Sequence, residues 1–200
     1  MKHAIIFAHP VAESFTGSVA RTYARACETQ GQATVMRDLY RMGFDPRLKA
    51  GELPFANPFC PEPDVMLERS LLKDCEVFAF IYPLWLNSPP AIIKGYLERV
   101  FGFGFAYGAG GHSYRPLLTG RKLISFSSSG APAEWVKATG ALGAVQTLFD
   151  EYFAELCGLK ALEHVHVGGV VPGASTEFVH ARLQDVESKV ARHFGSQTHH

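Results

Sequence analysis

The chain lacks any excess of charge. Its 19 Lys and Arg residues are matched by 19 Asp and Glu over 200 residues. A nucleic-acid-binding chain usually carries a basic excess or stripe, and an acidic electron shuttle that docks by charge steering needs the opposite bias. Neither class is supported. Cysteine is sparse: Cys27, Cys60, Cys75 and Cys157, with no C-x-x-C pair among them. The short apolar run Ile5-Ile6-Phe7-Ala8 has no cleavage-site pattern after it. These features predict free thiols in a reducing cytoplasm and not a disulfide framework. No run approaches the roughly 18 apolar residues of a membrane span. Three signatures are also missing: G-x-G-x-x-G, a Walker loop with its lysine, and a G-x-S-x-G elbow. A Rossmann dinucleotide fold, a nucleotide hydrolase and a serine hydrolase are therefore unsupported. His164 and His166 alternate along a strand and face one side. No Cys, Asp or third His lies close in sequence to complete a metal set, so no metal site is expected.

What remains is an ordinary globular composition, 47% hydrophobic and 19% charged. It predicts one domain over residues 1–195. Residues 196–200 read as a disordered tail or tag remnant. Strand-like and helix-like segments alternate. Strands are expected at Ile5–Ala8, Ala33–Met36, Cys75–Ile81, Lys122–Phe126 and Leu162–Val167. Helices are expected at Thr16–Thr29, Pro90–Phe101, Ala138–Leu156 and Thr176–Phe194, with Gly31 and Gly158 as stops. This alternation predicts an α/β fold: a flavodoxin-like, doubly wound, five-stranded parallel sheet of order 2-1-3-4-5 with helices on both faces. The proline-rich stretch Asp38–Asp64, with its three phenylalanines, reads as a functional excursion whose aromatics need burial.

In such a sheet, ligands bind at the carboxyl ends of the strands beside the switch point. Three loops fall there. His9 to Thr16 follows strand one, and Ser14 and Thr16 can cap the helix and hold an anion with its first amides. The equal alternative is a plain N-cap. Pro83 to Pro90 follows strand three, offering an aromatic face (Trp85), an amide (Asn87) and backbone stiffened by three prolines. That suits a flat heteroaromatic ring such as a flavin. Ser127-Ser128-Ser129-Gly130 follows strand four and adds hydroxyls and amides. The aromatic, glycine-rich stretch from Phe101 through Tyr107 to His112 fits a substrate pocket, a subunit interface or plain packing. Glu98-Arg99 reads as a solvated face or a structural ion pair.

These motifs resemble those of the flavin-dependent NAD(P)H:quinone oxidoreductases, the DT-diaphorase-like branch of the flavodoxin-like fold. The resemblance rests on His9 to Thr16, Asp38-Leu39-Tyr40, Phe44-Asp45-Pro46, Tyr82-Pro83-Leu84-Trp85, Pro90 to Phe101 and Phe105-Ala106-Tyr107. It covers Ile5 to about Pro132 well and the last third in outline. It implies a cytoplasmic homodimer with one FAD, or alternatively FMN, per subunit. NAD(P)H is implied as co-substrate, with ping-pong, two-electron (hydride) reduction of quinones or similar flat electrophiles. By position, His9, Ser14, Phe15 and Thr16 would hold the phosphate end. Pro83, Leu84, Trp85, Leu86 and Asn87 would lie along the ring, and Ser127, Ser128, Ser129 and Gly130 would close the other side. Phe105, Tyr107 and Trp135 would meet the substrate, the first two from the second subunit. The family's Tyr and His near the flavin are replaced here by Trp135 and Ala141, so the charge of the reduced cofactor must be met differently or the acceptor differs. Three alternatives share the fold: an ancillary subunit of a potassium-efflux system, docking through Phe55–Pro63; an azo- or nitro-compound reductase; and a one-electron shuttle.

Overall fold

A computed structural model describes residues 1–111 and 113–195. His112 and the expected tail at 196–200 lie outside the described residues. Five strands pair in parallel: β1 (Lys2–Phe7), β2 (Ala33–Asp38), β3 (Val77–Pro83), β6 (Lys122–Ser128) and β7 (Lys160–Val167). Their order is β2-β1-β3-β6-β7. The numbering departs from the expected 2-1-3-4-5 because a separate antiparallel hairpin, β4 (Tyr107–Gly110) with β5 (Ser113–Pro116), is inserted before the fourth strand of the sheet. The central strand β3 is buried along its whole length, as a strand covered on both faces must be. One core layer sets Ile5, Ile81 and Phe126 against α1 (Phe15–Thr29) and α7 (Thr176–Phe194). The other sets Ile6, Phe78 and Phe80 against α3 (Ala91–Arg99) and the helices that follow β6.

Several boundaries differ from expectation. Strands β2, β3, β6 and β7 each extend beyond the apolar stretch that marked them. Backbone pairing, not side-chain hydrophobicity, sets a strand's end. The single helix expected over Ala138–Leu156 is broken. It starts earlier, as α4 (Ala133–Ala138), and stops at Gly140, whose φ of +76° ends a helix cheaply only in glycine. It resumes as α5 (Ala141–Val145), widens into a π-type turn over Gln146–Glu151, and ends as α6 (Tyr152–Cys157), closed by Gly158 as expected. Helix α2 (Pro63–Leu72) has no counterpart in the sequence reading. It hides at the end of the excursion because its apolar stripe is short and interrupted by charge.

That excursion is held by charge more than by aromatic burial. Arg99 is 1% exposed and donates to Glu52 (2.8 Å), Asp64 (2.8 Å) and the Asp45 carbonyl (2.6 Å). One guanidinium thus joins α3 to three points of the loop. Glu98, its sequence neighbour, pairs with Lys94 on the surface instead. Phe44 packs on Tyr96 and Phe59 on Phe103, but Phe55 is 88% exposed. The expectation that all three aromatics need burial fails because the ion pairs already fix the loop. Gly95 is required where the loop crosses α3: a Cβ there would stand 2.2 Å from the Pro46 carbonyl oxygen.

Burial alone would raise the Glu52 and Asp64 pKa values, but the hydrogen bonds and charge of Arg99 outweigh it and hold both below their ordinary values. Their contribution is therefore complete above the unfolded values of 4.5 and 3.8 and is lost as pH falls through the lowered folded values. Removing one partner strands a buried charge. Glu52→Ala is expected to cost about 3–5 kcal/mol in urea unfolding at neutral pH, with the deficit shrinking under acid conditions.

Candidate functional site

The carboxyl ends of β1, β3 and β6 open on one edge of the sheet, and the loops leaving them enclose a cleft of about 140 Å³. It lies at the switch point, where the chain passes from β1 to β2 on one side and β3 on the other. Its wall combines His9, Ser14, Phe15 and Thr16 from the first loop, Pro83, Leu84 and Trp85 from the second, and Ser128, Ser129 and Gly130 from the third. The residues expected to hold a ligand are brought together, with three exceptions described below.

The first loop is built around the helix start. Ser14 is the N-cap of α1, and its hydroxyl accepts the Gly17 N–H at 3.1 Å. The Phe15 and Thr16 amides have no carbonyl one turn back to receive them, which leaves anion-binding donors at the positive end of α1. Thr16 does not cap. It is buried, with its hydroxyl 3.2 Å from that of Ser128. His9 Nδ1 lies 3.0 Å from both the N–H and the carbonyl oxygen of Val11, which hold the ring in place. Burial pushes its pKa below the ordinary value, and its ring lies 5.8 Å from that of Trp85.

The second loop is a tight turn. Trp85 and Ser88 exchange backbone hydrogen bonds of 3.0 and 3.1 Å, and between them Leu86 and Asn87 have φ of +52° and +55°. Two successive left-handed residues are what such a two-residue turn demands. Asn tolerates this conformation; Leu does so at a cost of order 1 kcal/mol. Leu86 and Asn87 are exposed at the turn's tip and do not line the cleft. Trp85, 42% exposed, does.

Ser127 is the third exception. It faces away from the cleft into a buried polar chain that sequence reading missed. His164 donates from Nδ1 to Asp150 at 2.6 Å, and its Nε2 lies 2.6 Å from the Ser127 hydroxyl. Ser127 is in turn 2.8 Å from His166 Nδ1, and His166 Nε2 is 3.1 Å from the Ser129 hydroxyl. Ser125 donates to the other Asp150 oxygen at 2.5 Å. Burial, followed by the neighbouring His164, pushes the His166 pKa down to about 4. The alternation of the two histidines was legible. Asp150 was not, because it lies in a π-type turn inside a stretch that reads as one regular helix. Among the described residues no group of three or more His, Cys, Asp or Glu is arranged for a metal ion.

Phe105, Tyr107 and Trp135 do not line this cleft. Phe105 packs edge-on against Phe101 with Arg69 over its face. Tyr107 borders a separate apolar groove of about 330 Å³ between α3 and α6, with Leu97, Leu148 and Tyr152. Trp135 stands half-exposed on α4. The turn geometry yields a test on the ligand-free protein. Asn87→Val puts a β-branched residue at positive φ and is expected to lower urea stability by about 1–2 kcal/mol, whereas Asn87→Gly stays within about 0.5 kcal/mol.

Comparison with known proteins agrees with this architecture. The family model described as flavodoxin-like fold matches residues 1–190. A Haemophilus influenzae protein named as an uncharacterised NAD(P)H oxidoreductase is 31% identical over 171 residues, covering 85% of each chain. The mouse ribosyldihydronicotinamide dehydrogenase [quinone] is 28% identical over 79% of this chain and 77% of its own. Among solved structures, an NAD(P)H:quinone oxidoreductase from Methanothermobacter marburgensis superposes with a TM-score of 0.82 at 26% identity, covering 100% of this chain and 99% of that one. The match runs through all five strands of the sheet and every loop of the cleft, and this chain belongs to the flavodoxin-like fold family.

Proposed function

We propose that residues 1–195 form one flavin-binding domain of an NAD(P)H-dependent oxidoreductase that reduces quinones or similar flat electrophiles by two electrons. One observation carries this reading. The cleft joins an anion-binding helix start to a slot flanked by an indole, which is the pairing of features a flavin phosphate and ring require. The donor set fits the cofactor. Ser14, the first-turn amides of α1 and the Thr16–Ser128 hydroxyl pair suit the phosphate end. The backbone of Pro83 to Trp85 and of Ser128 to Gly130 suits the polar edge of the ring. FAD is the first reading and FMN the alternative; reconstitution with each separates them.

When bound, the flavin supplies the electron-transfer chemistry. The protein's part is to position and to exclude water. Trp85 offers a flat face for the nicotinamide and, after it leaves, for the acceptor. A neutral His9 closes the phosphate end without adding charge. Names of relatives carrying NAD(P)H and quinone activities support the substrate pair.

The apolar groove between α3 and α6, with Leu148 and Tyr152 each 62% exposed, supports the homodimer reading. A second copy on this face would bury it and bring Tyr107 toward the partner's cleft. No helix among the described residues is long and apolar enough to cross a membrane.

Initial rates are expected to depend on added flavin and to give parallel double-reciprocal lines for NAD(P)H and quinone. Quinone reduction by the flavin-free protein at the same rate would contradict the reading. Ser14→Ala is expected to weaken flavin binding about tenfold, close to the roughly 1.4 kcal/mol of a lost cap and phosphate contact, read by quenching of flavin fluorescence. Leu148→Glu is expected to convert a dimer to a monomer in sedimentation; an unchanged dimer would place the interface elsewhere.

A further inference from the structure

The chain of side chains behind the cleft has an opening at each end. Asp150 and His164 line a second, outer groove of about 350 Å³ at the edge strand β7, together with Glu151, Glu163 and Gln146. At the other end Ser129 lines the cleft. Between them lie only groups that both give and take a proton, at separations of 2.6, 2.6, 2.8 and 3.1 Å. The serines and Asp150 are buried, and the His164 side chain is 2% exposed.

We propose that Asp150, His164, Ser127, His166 and Ser129 form a proton relay that carries one proton per turnover from the outer groove to the acceptor bound in the cleft. This inference rests on the reading of the protein as a two-electron quinone reductase. The balance of that reaction requires such a proton. The dihydronicotinamide breaks one C–H bond and yields two electrons and one hydrogen, while a quinone needs two hydrogens to become a hydroquinone. The second hydrogen comes from water: NAD(P)H + quinone + H⁺ gives NAD(P)⁺ + hydroquinone.

The geometry gives the path. In the loaded state His164 holds both N–H groups, one directed to the Asp150 carboxylate and the other to the Ser127 oxygen. The Ser127 O–H points to His166 Nδ1, and His166 Nε2–H points to Ser129. The Ser129 hydroxyl, which otherwise donates to the Ala131 carbonyl at 2.9 Å, turns to the cleft. Its proton passes to the reduced acceptor's oxygen. The proton of His166 Nε2 moves to Ser129, that of Ser127 to His166 Nδ1, and that of His164 Nε2 to Ser127. Each N–H or O–H bond broken is matched by one formed. His164 is left neutral and still bonded to Asp150. Uptake from groove water by the Asp150–His164 pair, with rotation of the hydroxyls and a change of tautomer at His166, restores the loaded state.

The groups facing His164 suit the task. They are Asp150 from the π-type turn, His166 on its own strand, and Tyr82 from β3, whose ring meets it edge-on at 6.3 Å. Burial, then the nearby Asp150 charge, keeps the Tyr82 phenol protonated. Its hydroxyl, with no hydrogen-bond partner among the described residues, does not divert the path. Glu151 and Glu163 stand at the groove mouth. Asp150, His164, Ser127 and His166 are positioning residues acting through Ser129.

The test uses flavin-loaded wild type, Asp150→Asn and His164→Gln. The reduced proteins are mixed with a soluble benzoquinone in stopped flow, in water and in heavy water, over a range of imidazole buffer concentrations. General acid–base assistance is typically worth about 10²–10⁴-fold. Both variants are expected to bind flavin within about threefold of wild type yet reoxidise at least about tenfold more slowly. Their rates should rise with imidazole, which replaces the relay, whereas the wild-type rate does not. Independently of turnover, flavin-free wild type should show a far-downfield, slowly exchanging His164 Nδ1 proton by NMR that Asp150→Asn lacks. Wild-type rates without buffer dependence in both variants would overturn the relay and leave the quinone-reductase reading intact. A wild type that takes up no flavin would overturn both. If His164→Gln does not fold, Ser127→Ala removes one hydroxyl from the path and is expected to give the same slowing and buffer dependence; wild-type behaviour there overturns the relay.

Discussion

Everything at the cleft hangs on Ser128, the last residue of β6. Its carbonyl accepts the Leu84 N–H at 2.6 Å, and its hydroxyl meets Thr16 at 3.2 Å. One residue thus ties the exit of β3 and the first turn of α1 to the end of a third strand. Parallel pairing of β3 with β6 puts Pro83 opposite Ser128, so the tie follows from register. A slip of one residue would turn Ser128 to the opposite face and separate the loops. The site is rigid because the sheet is rigid.

Much of this was legible in the chain. The buried strand Val77–Ile81 running into a proline-bounded aromatic loop marked both the central strand and the ligand edge, since its short length, aromatic content and flanking prolines favour a covered strand over a buried helix. Ser14 was legible as a cap because capping is local. Thr16 was not separable from it, because its true partner lies 112 positions away. Leu86 and Asn87 looked like ring contacts; their left-handed backbone turns them outward, and only Asn87 hints at that in sequence. Phe105 and Tyr107 stood out as part of an aromatic, glycine-rich stretch and Trp135 through resemblance, and within one chain all three stand apart from the cleft.

What stayed hidden was long-range and polar. Glu98-Arg99 read as a solvated face or a structural ion pair; Arg99 makes the ion pair, but with partners in a loop some fifty positions earlier that nothing local reveals. Asp150 lies inside the stretch expected to be a single helix over Ala138–Leu156, where nothing singles it out. It sits in the widened turn over Gln146–Glu151, from which its carboxylate reaches His164. Hydrophobic periodicity reports which face is buried and is blind to charges that find partners inside. Buried polar groups at a site are where local rules fail for functional reasons, and the Asp150–Ser129 chain is such a place. It lies on the same side of the sheet as the Trp135 and Ala141 replacements, which remove the two groups that the resemblance associates with the reduced cofactor.

The most direct test of the account is the visible spectrum of the protein reconstituted with FAD or FMN, recorded without oxygen as NAD(P)H and then a quinone are added. A bound yellow chromophore is expected to bleach in a single step with one equivalent of NAD(P)H and to recover with one equivalent of quinone. A protein that stays colourless after reconstitution with either flavin would contradict it, because the cleft at the switch point would then serve another ligand.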